Sequence, residues 1–253
     1  MDQVNISNLS LVFSVALVAI AIVISYKEKL GLSKEVIYAA IRAVVQLVVV
    51  GFVLKYVIGV NNFWLTTAMS LFIILNASMN GHKRNPSKNK KFYTTFFAIF
   101  ISTYVTLSVL ILAGALQLIP SQIIPITGML ANNAMVATGL CYRNLYNQFH
   151  DQRQQVWEKL ALGAPIKLAA KSILQESIRV AIQPTIDSTK TVGLVSLPGT
   201  MSGLIFAGVD PVHAIKYQIM VMFMILATSS LAAILAGYSG YKEYFNKNDQ
   251  LVN

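Results

Sequence analysis

Cysteine is nearly absent. Cys141 is the only one in 253 residues, which excludes a disulfide within the chain and any cysteine-built metal site of the zinc-finger kind. Charge is scarce too, at 12% of residues against 55% hydrophobic. The phosphate-binding pattern GxxxxGK[ST] occurs nowhere, so the chain cannot hold ATP in the P-loop manner. The histidines make no site by spacing: His82 and His150 fall in polar connections, and His213 stands beside Asp210, where an Asp before Pro211 reads as a helix cap or as a weak cation contact. Setting the apolar stretches aside leaves no water-soluble domain of useful size. Composition therefore points to an all-α polytopic membrane protein folded as a single transmembrane domain, 1–253.

Seven apolar stretches are long enough to cross a hydrocarbon core of roughly 30 Å: residues 9–26, 36–54, 63–79, 92–118, 123–142, 191–209 and 214–238. No basic residue precedes the first, so it lacks the n-region of a cleaved signal peptide and reads as a retained span. An odd number puts the termini on opposite faces. With the N-terminus outside and the C-terminus cytoplasmic, every one of the 20 Lys and Arg except Lys55 and Lys216 falls on the cytoplasmic side or at inner helix ends. The net charge of +10 thus reads as orientation in a membrane rather than as affinity for nucleic acid. Trp64, Tyr26, Tyr93 and Tyr238 sit where interfacial anchors would.

Between spans five and six lies a long charged segment, 143–190. Residues 144–157 extend span five as a polar, Gln-rich helix, and Pro165 suits the first turn of another. From there Ile166, Ala170, Ile173, Ser177 and Val180 recur at helical spacing, with Lys167, Lys171, Gln175 and Arg179 on another face. Pro184 then interrupts or kinks the chain before span six. Such a helix can lie among headgroups, bind anionic membrane lipids or dock a partner. Asp187 and Lys190 are spaced for a local pair.

Polar groups inside the spans are the candidates for a transport path. Gly128, Asn132, Met135 and Gly139 share a stripe of span five, with Asn133 adjacent, and Asn76 and Asn80 lie one turn apart in span three. Buried amides need partners, so these either bond between helices or face a water-filled path. In span six Pro198-Gly199 breaks the helix, Ser196, Thr200 and Ser202 add oxygens beside Met201, and Gly199, Gly203 and Ala207 form a small-residue stripe; the break suits a transport site or a packing kink. Most methionines read as packing, since thioethers are poor primary ligands for iron. Arg42 is placed to snorkel, with Gln46 a turn deeper.

Residues 157–165, WEKLALGAP, resemble the cytoplasmic coupling loop of ATP-binding-cassette permeases, although Gly163 lies one residue closer to Glu158 than in the general motif and Lys159 and Leu160 replace its alanines. RAVVQL (42–47), GMLANNAM (128–135), LALGA (160–164) and above all TVGLVSLPGTMSG (191–203) are together similar to the FetB (YbbM) family of ABC permeases, over nearly the whole chain. The resemblance implies a transport subunit of the bacterial inner membrane, not an enzyme. It would work as a homodimer that exports iron or another metal ion, with a separate FetA-like ATPase using ATP and Mg while this chain binds no cofactor. It also implies that Glu158, Leu162, Gly163, Ala164, Pro165, Lys167 and Lys171 couple to that ATPase. Plant relatives are half-transporters linked to aluminium tolerance, with a nucleotide sugar suggested as cargo. The alternative is an ion-coupled secondary carrier or channel, for which an acid at mid-span is expected; no predicted span carries one.

Overall fold

The structure is a computed structural model that describes residues 8–195, 197–246 and 248–252. Ten α-helices follow in order: α1 Asn8–Lys27, α2 Ser33–Val60, α3 Phe63–Lys83, α4 Phe92–Leu112, α5 Pro120–Asp151, α6 Arg153–Ala161, α7 Ile166–Ala169, α8 Lys171–Thr191, α9 Gly199–Phe206 and α10 Pro211–Gly240. A 3-10 turn, Tyr241–Tyr244, and a small hairpin closed at Phe245 and Leu251 end the described chain. Five helices, α2, α3, α4, α5 and α10, are long and apolar enough to cross a membrane, and α1 is a shorter apolar helix.

α5 is the axis of the bundle. It packs against α3, α4, α8 and α10, and touches α2 at its edge. Small residues allow the close approach: Ala131, Ala134, Ala137 and Cys141 on α5 are fully buried, as are Ala232, Ala233 and Ala236 on α10. At Gly240 a Cβ would lie 2.7 Å from the Tyr142 ring, and at Gly237 it would lie 2.9 Å from both Ile178 and Leu174. Some buried hydroxyls are bonded in this setting, whereas those of Thr103, Thr138 and Ser229 have no partner among the described residues. Thr228 donates to Thr106 at 2.8 Å between α10 and α4, while Thr127 and Ser70 donate to carbonyls one turn back, at 2.7 and 2.9 Å. The α1–α2 hairpin stands to one side, and its Leu47 and Phe52 are exposed to whatever surrounds the bundle.

Several boundaries differ from expectation. The fourth span stops at Leu112, because Gly114 adopts φ +71° and residues 113–119 turn the chain instead of extending the helix. Residues 144–157 do not form one extension of span five: α5 runs to Asp151 and α6 is a separate helix. Pro165 caps the single-turn α7, and the longer α8 starts only at Lys171.

α8 differs most. It neither ends nor breaks at Pro184 but runs on to Thr191, packed along both α5 and α10. Ile173 and Ser177 are buried as their spacing predicts, whereas Val180 is exposed and Ala181 takes the inward position. Two contacts fix its level: Asn144 Nδ2 donates to Ser177 Oγ at 3.4 Å, and Gly237 of α10 lies against Leu174 and Ile178. Beyond Ser177 the helix runs on, and at 1.5 Å per residue Asp187 stands about 15 Å further along it. α8 ends at Thr191, Gly193 follows at φ +85°, and α9 begins at Gly199, its Thr200 hydroxyl bonded to Gln218 on α10. The stretch expected as span six, 191–209, is therefore not one continuous helix. The break precedes Pro198, which caps α9, rather than falling at Pro198-Gly199.

Candidate functional site

Two regions gather the sequence candidates. The first is the turn between α6 and α7. Gly163 adopts φ +83°, its N–H donates to the Leu160 carbonyl at 2.9 Å, and the Ala164 N–H donates to the Lys159 carbonyl at 3.0 Å. This is the paired capping pattern that ends a helix on a left-handed glycine. Pro165 follows in extended conformation and accepts from Leu168 and Ala169, which starts α7. The cap thus locks a rigid corner, and Leu162 projects from it 88% exposed. Glu158 on α6, Pro165 and Lys167 around α7, and Lys171 at the start of α8 are exposed, with Ala164 half-buried. Trp157 and Leu168 add exposed apolar area beside them.

The second region is a cleft of about 500 Å³ between α2, α3 and α5. Asn76, Asn80, Asn132 and Met135 line it, joined by Gln46. Asn80 Nδ2 donates to Asn76 Oδ1 at 2.9 Å and to the Asn76 carbonyl at 2.8 Å, so this amide pair is held by its own helix. Asn133 turns its amide to the Met129 carbonyl at 2.8 Å and does not line the cleft. The wall offers neutral amide oxygens and N–H groups on an apolar surround, which suits hydrogen bonding or weak ligation of a hard cation. Among the described residues no group of three or more His, Cys, Asp or Glu could hold a metal.

The candidates from span six lie elsewhere. Pro198, Gly199, Thr200 and Met201 belong to the start of α9 beside α10, and Ser196 is outside the described residues. Among the described residues nothing lies within 4 Å of where a Cβ would go at Gly199 or Gly203, so these two glycines make no close helix contact there. Asp210 is a cap: it accepts from the Val212 and His213 N–H groups at 2.9 and 3.3 Å, and His213 Nδ1 lies 3.3 Å from the same oxygen. The His213 backbone N–H, before its side chain and the Val212 N–H, holds this carboxyl below the usual carboxylate range.

Two features go beyond the sequence reading. One is the continuation of the polar face that Gln175 and Arg179 share: Gln183 and Asp187 extend it along α8 at four-residue spacing, exposed, with Gln183 donating to Asp187 at 2.8 Å and Lys190 3.8 Å from the same carboxylate, the local pair their spacing predicts. Its i, i+4 repeat was visible, but its depth beside α5 was not. The other is Glu243, 7% exposed, which straps the C-terminal turn to the basic loop. Its Oε2 accepts from Asn85 at 3.1 Å, and its Oε1 accepts from the Lys91 N–H at 3.1 Å and from Thr94 at 3.2 Å. An acid five residues past the last apolar stretch, in a chain with a lysine-rich loop, was the available signal.

A multi-pass helical bundle with a polar cleft is the architecture of a membrane permease, the transport subunit of a transporter in the bacterial cell membrane. The chain belongs to the uncharacterised protein family UPF0014, which it matches over residues 8–245. It is 53% identical to the "Probable iron export permease protein FetB" of Escherichia coli, covering all of this chain and 97% of that one. It is 36% identical to the "UPF0014 membrane protein STAR2" of Oryza sativa, over 95% of this chain and 84% of that one. With the "Protein ALUMINUM SENSITIVE 3" of Arabidopsis thaliana it shares 34% identity, over 94% and 87% of the two chains. No solved structure matches.

Proposed function

We propose that this chain is the permease subunit of an ABC transporter that exports iron or a related metal ion, driven by a separate ATPase that docks on the α6–α7 turn. The observation that carries this reading is mechanical. The capped corner presents Leu162 to solvent, and the chain leads from it through α7 directly into α8, which is wedged along α5 and α10. Force applied to the corner would reach the bundle through a packed helix. ATP and Mg then belong to the partner, and this chain binds neither.

Seven crossings follow if α1 and the interrupted α8–α9 path join the five long apolar helices, with the basic end in the cytoplasm and the N-terminus outside. A charge at mid-membrane costs about 2.5–3.5 kcal/mol or more in hydrocarbon. The α8 stripe would therefore face water or a second copy, which supports a homodimer enclosing a polar path. The amide cleft is the cargo contact in this reading. Its cargo is iron by similarity to the FetB protein, and the neutral amides hold it weakly enough to release it.

Asp187 favours a second reading, because α8 carries an acid to the depth expected of an ion-coupled carrier. Co-expression with a FetA-like ATPase separates the two. The ABC reading expects co-purification and ATP hydrolysis above that of the ATPase alone, both lost in Leu162→Asp. A chain that purifies alone, or a complex indifferent to Leu162→Asp, would overturn it.

A further inference from the structure

At the basic end a pocket of about 300 Å³ opens between the loop after α3, the α5–α6 junction and the C-terminal strap. Lys88, His150 and Arg153 enter its wall from different elements, together with Tyr244. Two donors there have no acceptor among the described residues. Tyr244 is 8% exposed and its hydroxyl is buried without a hydrogen bond, and Arg153 Nε is likewise buried and unpaired. Neither side chain is loose. Phe149 stacks on Tyr244 with ring centres 4.4 Å apart, and the Arg153 guanidinium lies 4.3 Å from the Trp157 ring centre, which holds its plane without satisfying its N–H groups. The one acid in the wall, Glu243, spends both carboxylate oxygens on Asn85, Lys91 and Thr94. The pocket therefore gathers cationic groups and two fixed, unpaired donors around a carboxylate that is already engaged, and buried donors left unpaired are unfavourable.

We propose that this pocket binds the phosphate group of an anionic ligand, either a free phosphate species or a lipid headgroup, with Arg153, Lys88 and Tyr244 as its donors. A guanidinium fork matches two phosphate oxygens, and a rigid phenol adds a third bond from the side. Arg153 is also the first residue of α6, the helix that ends in the Leu162 corner, so an occupant would stiffen the helix behind that corner. The binding itself does not depend on the ABC reading and is measured without an ATPase.

The test uses the purified full-length chain. Inorganic phosphate is titrated calorimetrically in detergent, and thermal stability is compared in phosphatidylcholine nanodiscs with and without phosphatidylglycerol. We expect saturable phosphate binding, weakened roughly tenfold or more in Arg153→Gln and roughly fivefold in Tyr244→Phe, which keeps the Phe149 stack. Lys159→Gln, a charge removed at the same end outside the pocket, should bind as the wild type does. Stabilisation by phosphatidylglycerol alone, lost in Arg153→Gln and Tyr244→Phe, would assign the same site to a lipid headgroup. Neither ligand acting, or Lys159→Gln losing as much as Arg153→Gln, overturns the proposal.

Discussion

Gly237→Val should separate the helix that receives force from the helix it leans on. An ideal Cβ at Gly237 lies 2.9 Å from Ile178 Cγ1 and from Leu174 Cδ1, and 3.1 Å from Ile178 Cδ1. Carbon atoms settle at about 3.5–4.0 Å, so even the first added carbon requires α8 and α10 to part by roughly 0.6–1 Å, and the two methyls of valine require more. The Leu174 methyl can swing aside. Ile178 Cγ1, next to a stiff branched centre, cannot do so cheaply. Overpacking of this kind costs about 1–3 kcal/mol, which in a chain of this size lowers the melting temperature by roughly 2–10 °C. Thermal unfolding in detergent reads the stability, and hydrolysis by the complex reads the coupling, which should fall because α8 would slide instead of pushing α10. Gly51→Ala, where nothing lies within 4 Å of the added carbon, serves as the control and should melt as the wild type does. A Gly237→Val protein with unchanged melting would refute the close α8–α10 contact.

Three further substitutions probe other parts of the account. Asp187→Cys should react with a membrane-impermeant thiol reagent, whereas Phe223→Cys, on an exposed apolar face of α10, should not; Cys141 is fully buried and gives little background. No labelling at position 187 would mean that the α8 stripe does not face water. Glu243→Ala leaves the Asn85, Lys91 and Thr94 donors without their acceptor and should cost about 2–3 kcal/mol in thermal unfolding, with Glu243→Gln recovering part of it. Asn132→Leu in the amide cleft should weaken apparent cargo affinity roughly fivefold while leaving ATPase co-purification intact, and unchanged cargo stimulation would remove the cleft from the path.

Much of this architecture was legible because lipid-compatible helices are marked by long apolar runs, and α2, α3, α5 and α10 begin or end within a few residues of where those runs do. The corner at Gly163 was legible for a local reason, since a glycine followed by proline stops one helix and starts another. What hydropathy hid is α8. A helix carrying Lys171, Glu176, Arg179, Asp187 and Lys190 fails any apolar window, and only its packing on α5 and α10 reveals how far into the bundle it reaches. Val180 and Ala181 were exchanged because a small neutral residue gives no signal for the face it occupies, although alanine fits closest against α5 and α10. The end of the fourth span and the start of the break in span six both turn on glycines with positive φ, Gly114 and Gly193, a backbone preference that composition does not display. In the cleft, Asn76, Asn80, Asn132 and Met135 were each visible as polar or polarisable groups in apolar helices. That Asn133 turns away could be told only from its bond to the Met129 carbonyl.

The most direct measurement is iron(II) uptake into inverted vesicles holding this chain and a FetA-like ATPase, with the cytoplasmic face outward. The account predicts accumulation that requires ATP and both subunits and that Leu162→Asp abolishes. Accumulation driven by a proton gradient, without ATP or the ATPase, would contradict it.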